Sequence, residues 1–188
     1  MSQENARMST YAPRKKKACL NASHLGMTLF DGVGEGQIKH VINNEVKGIL
    51  ECLNSLKGFN GEVAEILVNK RIDKKLFKPI ENDATNPEPG TLVTKEICQT
   101  SKEFYLASQK VFQGTATPTK YILIHNDTEI SLEQFYELTY SQCYNYFGKN
   151  GSVRVPALVQ YAHKLAFLAG QTLKESPSEK LKGQLFFI

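Results

Sequence analysis

The sequence lacks the patterns typical of exported, membrane-spanning or zinc-stabilised proteins. Its four cysteines occur singly, with no Cys-x-x-Cys pair and no histidine at zinc-finger spacing. That arrangement argues against a disulfide scaffold and against a structural zinc site. No apolar run approaches the roughly 20 residues needed to cross a bilayer, and the N-terminus has no apolar signal core. We therefore expect a globular protein that stays inside the cell, in the cytoplasm or the nucleus, with no membrane partner.

A complete nucleotide-binding motif is also absent. The stretch DGVGEGQ, residues 31–37, has glycines at every second position, but it lacks the third glycine of GxGxxG and the Gly-Lys-Ser/Thr of a P-loop. The position where a ribose-binding acid would be expected falls inside a predicted helix rather than at a strand end. A nucleotide-binding α/β enzyme is therefore the least favoured hypothesis. It predicts thermal stabilisation by a dinucleotide, and we expect none.

The residues present suit one globular domain behind a polar lead-in. A chain of 188 residues with 41% hydrophobic content can bury a core. Residues 1–25 are polar, carry the basic run RKKK and show no hydrophobic period, so we expect a disordered basic lead-in there. The formal net charge of +4 permits contact with polyanions without demonstrating it.

Hydrophobic periodicity predicts an α/β fold. The strand LGMTLF, a helix over residues 35–56 and the strand EVAEILVNKR form a strand–helix–strand unit. Further strands are predicted at GTLVTKEI, EFYLASQ and TKYILIH. Two helices follow. The first begins at Ser131, whose partner Gln134 completes a capping box, and the second, ALVQYAHKLAFLAGQ, begins after Pro156.

Three features could have a catalytic or binding role, and the residues alone do not decide the role of any of them. Asp31 ends a strand, where it could bind a metal ion or cap the helix that follows. His163 lies in an apolar helix, where a histidine is more often a hydrogen-bonded core residue than a ligand. Five cations fall within residues 70–78, a density that fits a phosphate-binding patch and a solvated loop equally well.

Six stretches, in this order and spacing, resemble the C-terminal part of the PIWI domain of Argonaute proteins. They are DGVGEGQ, VNKRIDKKLF, PGTLVTKEIC, FYLASQKVFQGTATPTKY, LEQFYELTYSQCYNYF and VRVPALVQYAHKLAFLAGQ. The last of these and the LFFI ending are most similar to the Piwi subfamily. The resemblance covers residues 26–188 as a partial PIWI domain. It implies the C-terminal portion of an α/β, RNase H-like PIWI fold, a mixed sheet flanked by helices.

The same resemblance implies a function in small-RNA-guided gene silencing. The implied partners are a small guide RNA, its target RNA and other silencing proteins. In such a fold, acids on strands hold two Mg²⁺ ions, which activate water and stabilise the leaving oxygen. Asp31 and His163 match the family's catalytic and metal-binding positions. RNA contacts are implied for a further set: Lys70, Arg71, Lys75, Gln160, Gln171 and the terminal carboxylate of Ile188.

Departures from the family pattern limit what the resemblance implies. The first catalytic aspartate and a glutamate precede the DG motif in the family, and residues 1–25 contain no DVTHP-like motif. Phe30 stands where the family usually has an arginine. We therefore expect guide-RNA binding with an incomplete slicer site and no autonomous cleavage. The alternative is a nuclease-dead module that binds other proteins of the silencing machinery.

Overall fold

The computed structural model describes residues 17–21, 25–55, 61–174, 177–181 and 183–188. Its centre is a six-stranded sheet in the order β1-β2-β3-β8-β7-β6, and β4 pairs separately with β5. The strands are β1 (Lys17–Asn21), β2 (Leu25–Asp31), β3 (Glu62–Asn69), β4 (Lys78–Ile80), β5 (Asp83–Thr85), β6 (Thr91–Val93), β7 (Glu103–Ala107) and β8 (Thr119–Asn126). Strands β2 and β3 are parallel, and the other paired strands are antiparallel. The predicted mixed sheet is confirmed.

Three helical segments flank this sheet. The first helical segment comprises a 3₁₀ turn (Glu35–Gln37), a short α-helix (Ile38–His40), a π segment (Val41–Val46) and an α-helix (Lys47–Ser55). The capped helix is Leu132–Gln142, and the C-terminal helix is Ala157–Phe167, which continues into a π segment (Leu168–Leu173) and is followed by a 3₁₀ turn (Glu179–Leu181). Within the described ranges, none of these helices has the length and apolarity needed to cross a membrane.

Two apolar clusters hold the helices against the sheet. Leu29 and Phe30 are successive in β2, so their side chains point to opposite faces. Phe30 packs with Val41 of the first helical segment on one face. Leu29 packs with Phe135 of the capped helix and Val159 of the C-terminal helix on the other. Since Phe30 is buried in the first cluster, an apolar side chain suits this position.

The predicted strand–helix–strand unit is confirmed, as is the capping box at Ser131. Strand β6 is shorter than the predicted GTLVTKEI and includes only Thr91–Val93. The chain turns immediately afterwards, where the Cys98 backbone N–H donates to the Lys95 carbonyl at 2.8 Å. That turn ends β6 before the end of the predicted strand.

The disordered lead-in predicted for residues 1–25 needs correction at residues 17–21 and at Leu25, the first residue of β2. Residues 1–16 and 22–24 of that prediction lie outside the described residues. Residues 17–21, however, form β1, antiparallel to β2, with Lys17 opposite Phe30. Without β1, this side of β2 would present an unpaired row of backbone N–H and C=O groups. Backbone pairing of this kind needs no hydrophobic period, so the sequence pattern did not indicate it.

Candidate functional site

The carboxylate of Asp31 lies where β2 ends, and the chain places Lys70 close to it. Because β2 and β3 are parallel and Asp31 is in register with Val68, the ends of the two strands meet at one edge of the sheet. Gly32 follows with φ +76°, a conformation that favours glycine, and its N–H donates to the Val68 carbonyl at 3.2 Å. Gly34, by contrast, has φ −71°. Thus the chain conformation after β2 favours glycine at Gly32, whereas Gly34 does not need to be glycine for its conformation.

His163 reaches the same edge from the C-terminal helix. The neighbouring Val159 and Ala162 anchor that helix in the core, and His163 lies at the rim with its side chain 21% exposed. Its Nε2 lies within hydrogen-bond distance of Oδ2 of Asp31. The first helical segment receives no side-chain cap at its Gly34 N-cap. Asp31 therefore does not cap that helix, and His163 is not simply a core residue.

A third group, the Lys70 ammonium, closes a triangle with Asp31 and His163. Lys70 Nζ lies 3.2 Å from Asp31 Oδ2 and 2.7 Å from His163 Nε2. One imidazole nitrogen cannot donate to Asp31 and accept from Lys70 at once. If Nε2 carries the proton, it donates to Asp31; if it does not, it accepts from Lys70. In both cases the positive charge of the Lys70 ammonium lies beside the Asp31 carboxylate and balances its negative charge.

The electrostatic result is a carboxylate that stays ionised at neutral pH. The Asp31 side chain is only 5% exposed. Burial by itself raises the pKa of Asp31, but the hydrogen bond from His163 and the positive charge of Lys70 outweigh it. The net effect holds the pKa of Asp31 below its ordinary value.

These residues can be tested against the Mg²⁺ site that the resemblance implies. Within the described ranges, Asp31 Oδ1 is buried and has no hydrogen-bond partner, so one oxygen is available to a cation. The same part of the chain, however, contains no group of three or more His, Cys, Asp or Glu side chains that could hold a metal ion. The Lys70 ammonium already contacts both potential ligands. In this arrangement, the residues do not fit a divalent-metal centre.

The triangle opens onto a groove of about 1050 Å³ with a second charged cluster in its wall. Lys120 of β8 is 4% exposed. Its ammonium lies 2.9 Å from Glu35 Oε1 and 3.4 Å from Glu103 Oε2. Glu103 is itself buried, whereas the Glu35 side chain is 62% exposed. Lys120 therefore connects a buried carboxylate to one on the groove surface.

Hydrogen bonds extend this cluster along β7. The Tyr105 hydroxyl donates to Glu103 Oε1 at 2.7 Å, and the Lys74 ammonium donates to the Tyr105 oxygen at 2.8 Å. Burial raises the pKa of Tyr105, and the hydrogen bond to Glu103 raises it further. Sequence reasoning missed this cluster. The available signal was the presence of Glu103 and Lys120 in strands expected to be buried, because buried charges require partners.

Arg154, also missed, links Lys70 to the segment that leads into the C-terminal helix. Its guanidinium donates to the backbone carbonyl of Lys70 and, at 3.4 Å, to that of Pro118. Burial lowers the pKa of Arg154. The segment after β3 that carries Lys70 is thereby held to a residue shortly before the helix that carries His163.

Comparison with known proteins identifies the family to which this fold belongs. The family model described as the Piwi domain matches residues 27–174. The chain belongs to the Piwi family. Piwi-like protein Ago3 of Bombyx mori is 40% identical over 162 residues, which cover 84% of this chain and 17% of that protein. The predicted resemblance to the Piwi subfamily is confirmed.

Solved structures of Piwi and Argonaute proteins share the fold. The crystal structure of Drosophila Piwi matches with a TM-score of 0.73 and 33% identity, over 85% of this chain and 22% of that one. Kluyveromyces polysporus Argonaute, solved with a guide RNA, matches with a TM-score of 0.71 and 27% identity, over 86% and 23%. The predicted RNase H-like PIWI fold is confirmed. This chain spans about a fifth of the length of the relatives it matches.

The residues that the Piwi resemblance implies for RNA contact are dispersed in this Piwi-family chain. Arg71 is exposed and lines the groove, whereas the exposed Lys75 donates to Thr117 Oγ1. Gln160 is half-buried on the C-terminal helix, and Gln171 is exposed in the π segment that follows it.

The apolar chain end packs against the C-terminal helix. The ring of Phe187 lies edge-on to that of Tyr161, with 6.1 Å between centroids. Ile188, the last residue, is 44% exposed. The ring contact fixes the chain end against the helix that carries His163. The RNA contacts implied for Gln160, Gln171 and Ile188 stay predictions.

Proposed function

We propose that this chain forms part of a Piwi-type, small-RNA-guided silencing protein, in which it contacts guide RNA and carries an incomplete slicer site. The observation behind the proposal is the meeting of Asp31 and His163, residues 132 positions apart, at a groove lined by cations. A solved relative of the same fold, the Kluyveromyces polysporus Argonaute, contains a guide RNA. In this proposal, residues 26–188 are a partial PIWI domain and Asp31 and His163 are its catalytic-type pair.

The proposed phosphate contacts come mainly from two of the basic residues after β3. Arg71 and Lys75 are exposed, and cations of this kind bind nucleic acid by releasing counterions from the phosphate backbone. Lys70 is only 25% exposed and faces Asp31, so we assign it the smallest share of this binding. Gln171 and the terminal carboxylate of the exposed Ile188 are proposed to lie near the 5′ end of the guide, with Gln160 on the adjoining helix.

RNA binding can be measured by filter binding of single-stranded RNA across a salt series. We expect Arg71→Ala and Lys75→Ala each to weaken binding and to reduce the salt slope by about 0.7 for each phosphate that is no longer neutralised. Lys47→Ala is the matched control, because Lys47 is a 72% exposed cation on the first helical segment, outside the basic stretch that follows β3. RNA binding that Arg71→Ala and Lys75→Ala both leave unchanged would contradict the proposal.

Autonomous cleavage is not part of the proposed function. Within the described residues, the site offers two potential metal ligands and an ammonium that contacts both. We expect the purified chain with Mg²⁺ and a guide to leave a matched RNA intact. Magnesium-dependent cutting that Asp31→Ala abolishes would refute this part of the proposal.

An exposed apolar surface favours the second candidate, a module that binds other silencing proteins. A cavity of about 410 Å³ near the β4–β5 pair is lined by Leu76, Phe77 and Val93, among others, and Phe77 is 54% exposed. Exposed aromatic side chains are common at protein interfaces. Absence of RNA binding at low salt, together with loss of partner binding in Phe77→Ser, would favour this role over the first.

A further inference from the structure

The Lys70 ammonium lies where a metal ion would have to bind. It is within 3.2 Å of a carboxylate oxygen of Asp31 and 2.7 Å of the imidazole Nε2 of His163. Carboxylate oxygens and imidazole nitrogens are also common ligands of divalent metal ions. An ammonium donates to the same lone pairs that such an ion would use. Lys70 and a divalent ion therefore compete for one position.

The surrounding backbone holds Lys70 at this position. Asn69, the residue before it, pairs with Lys120 across β3 and β8. The Lys70 carbonyl accepts a hydrogen bond from the Arg154 guanidinium, which also donates to Pro118. The backbone on both sides of the Lys70 Cα is thus fixed, and only the side chain could swing away from Asp31.

The low exposure of the ion pair distinguishes it from a solvated surface pair. The side chains of Lys70 and Asp31 are 25% and 5% exposed. Moving the ammonium into water would leave the Asp31 carboxylate largely buried with only His163 opposite Oδ2. A buried charge that loses its partner is costly. The position of the ammonium beside Asp31 is therefore favoured over a solvated one.

We propose that Lys70 is the resident cation of this site, occupying the place of a divalent metal between Asp31 and His163 and excluding it. In this role Lys70 holds the two side chains in position without any metal ion. This role of Lys70 is separate from RNA binding by Arg71 and Lys75, and it does not depend on it.

The test is binding of Mn²⁺ to the full chain, followed by electron paramagnetic resonance of the free ion at neutral pH. We expect Lys70→Met, which keeps the stem and removes the charge, to bind Mn²⁺ at least about tenfold more tightly than the wild type. Lys70→Arg keeps the charge and should behave as the wild type does. Adding Asp31→Asn to Lys70→Met should abolish the gain.

Lys74→Met is the matched control. Lys74 lines the same groove but donates to Tyr105, so its removal changes the net charge equally without vacating the site. An equal gain in Lys74→Met, or equal Mn²⁺ affinity in the wild type and Lys70→Met, would overturn the proposal.

If Lys70→Met does not fold, the wild type and Asp31→Asn decide the question. Submillimolar Mn²⁺ binding to the wild type that Asp31→Asn removes would overturn the proposal. No such binding to the folded wild type supports it.

Discussion

The buried ion pair between Lys120 and Glu103 gives the sharpest prediction about stability. Lys120→Met keeps most of the side-chain length and removes the ammonium, which lies 3.4 Å from Glu103 Oε2. Glu103 is 2% exposed, so its carboxylate cannot exchange the missing partner for water. The variant should therefore be destabilised mainly through Glu103, and much less through the exposed Glu35.

The expected cost follows from the burial and from the hydrogen bond that remains. Removing one member of a buried ion pair typically costs about 3–5 kcal/mol. Tyr105 still donates a hydrogen bond to Glu103 Oε1 at 2.7 Å in the variant. This remaining bond offsets part of the penalty, and we expect a loss of about 3 kcal/mol, roughly a hundredfold shift in the unfolding equilibrium.

Urea unfolding at neutral pH, followed by circular dichroism, measures this loss. Lys47→Met is the control, since the Lys47–Glu51 pair is 3.9 Å apart and its side chains are 72% and 69% exposed; it should cost at most about 0.5 kcal/mol. Adding Glu103→Gln to Lys120→Met should recover much of the loss, because no buried charge then remains. A cost for Lys120→Met below about 1 kcal/mol would refute the reasoning.

Three further predictions concern Asp31, the cysteines and the capping box. Because the folded-state pKa of Asp31 is lowered, its stabilisation is present at neutral pH and is lost as the pH falls; Asp31→Asn should lower the free energy of unfolding at pH 7 and flatten its decline between about pH 5 and pH 3, measured by urea titrations. Burial raises the pKa of Cys143 to about 11, so mapped iodoacetamide labelling at about pH 8 should modify the exposed Cys52 well before Cys143. Ser131→Ala removes the acceptor for the Gln134 N–H and should cost about 1 kcal/mol in urea unfolding.

Local patterns predicted the elements that bury apolar side chains at regular spacing. Strands β2 and β3 and the capped helix are of this kind. The hydrophobic period of each element, and the residues that begin or end it, can be read from a short stretch of sequence. The π segment in the first helical segment was not predicted, since a local change in helix winding leaves the apolar stripe almost intact. Strand β1 was missed because an edge strand can form from backbone pairing alone.

The sequence predicted only part of the site. Asp31 was recognisable as a strand-end carboxylate, but its approach to His163 depends on how the C-terminal helix packs, and the family resemblance alone indicated it. The family resemblance implied RNA contacts for the basic residues after β3 as one group. The structure separates them, because Lys70 faces Asp31 while Arg71 is exposed. Charge counts along a loop cannot predict such a division, because it depends on which side of the sheet edge each residue lies.

The separation of 132 positions between Asp31 and His163 also sets the order in which their site can assemble during synthesis. At about 5–20 residues per second, a ribosome adds His163 on the order of ten seconds after Asp31. Lys70 leaves the ribosome long before that helix does, together with the strand that lies beside β2. The carboxylate and the ammonium are therefore both outside the ribosome before the histidine that completes the triangle.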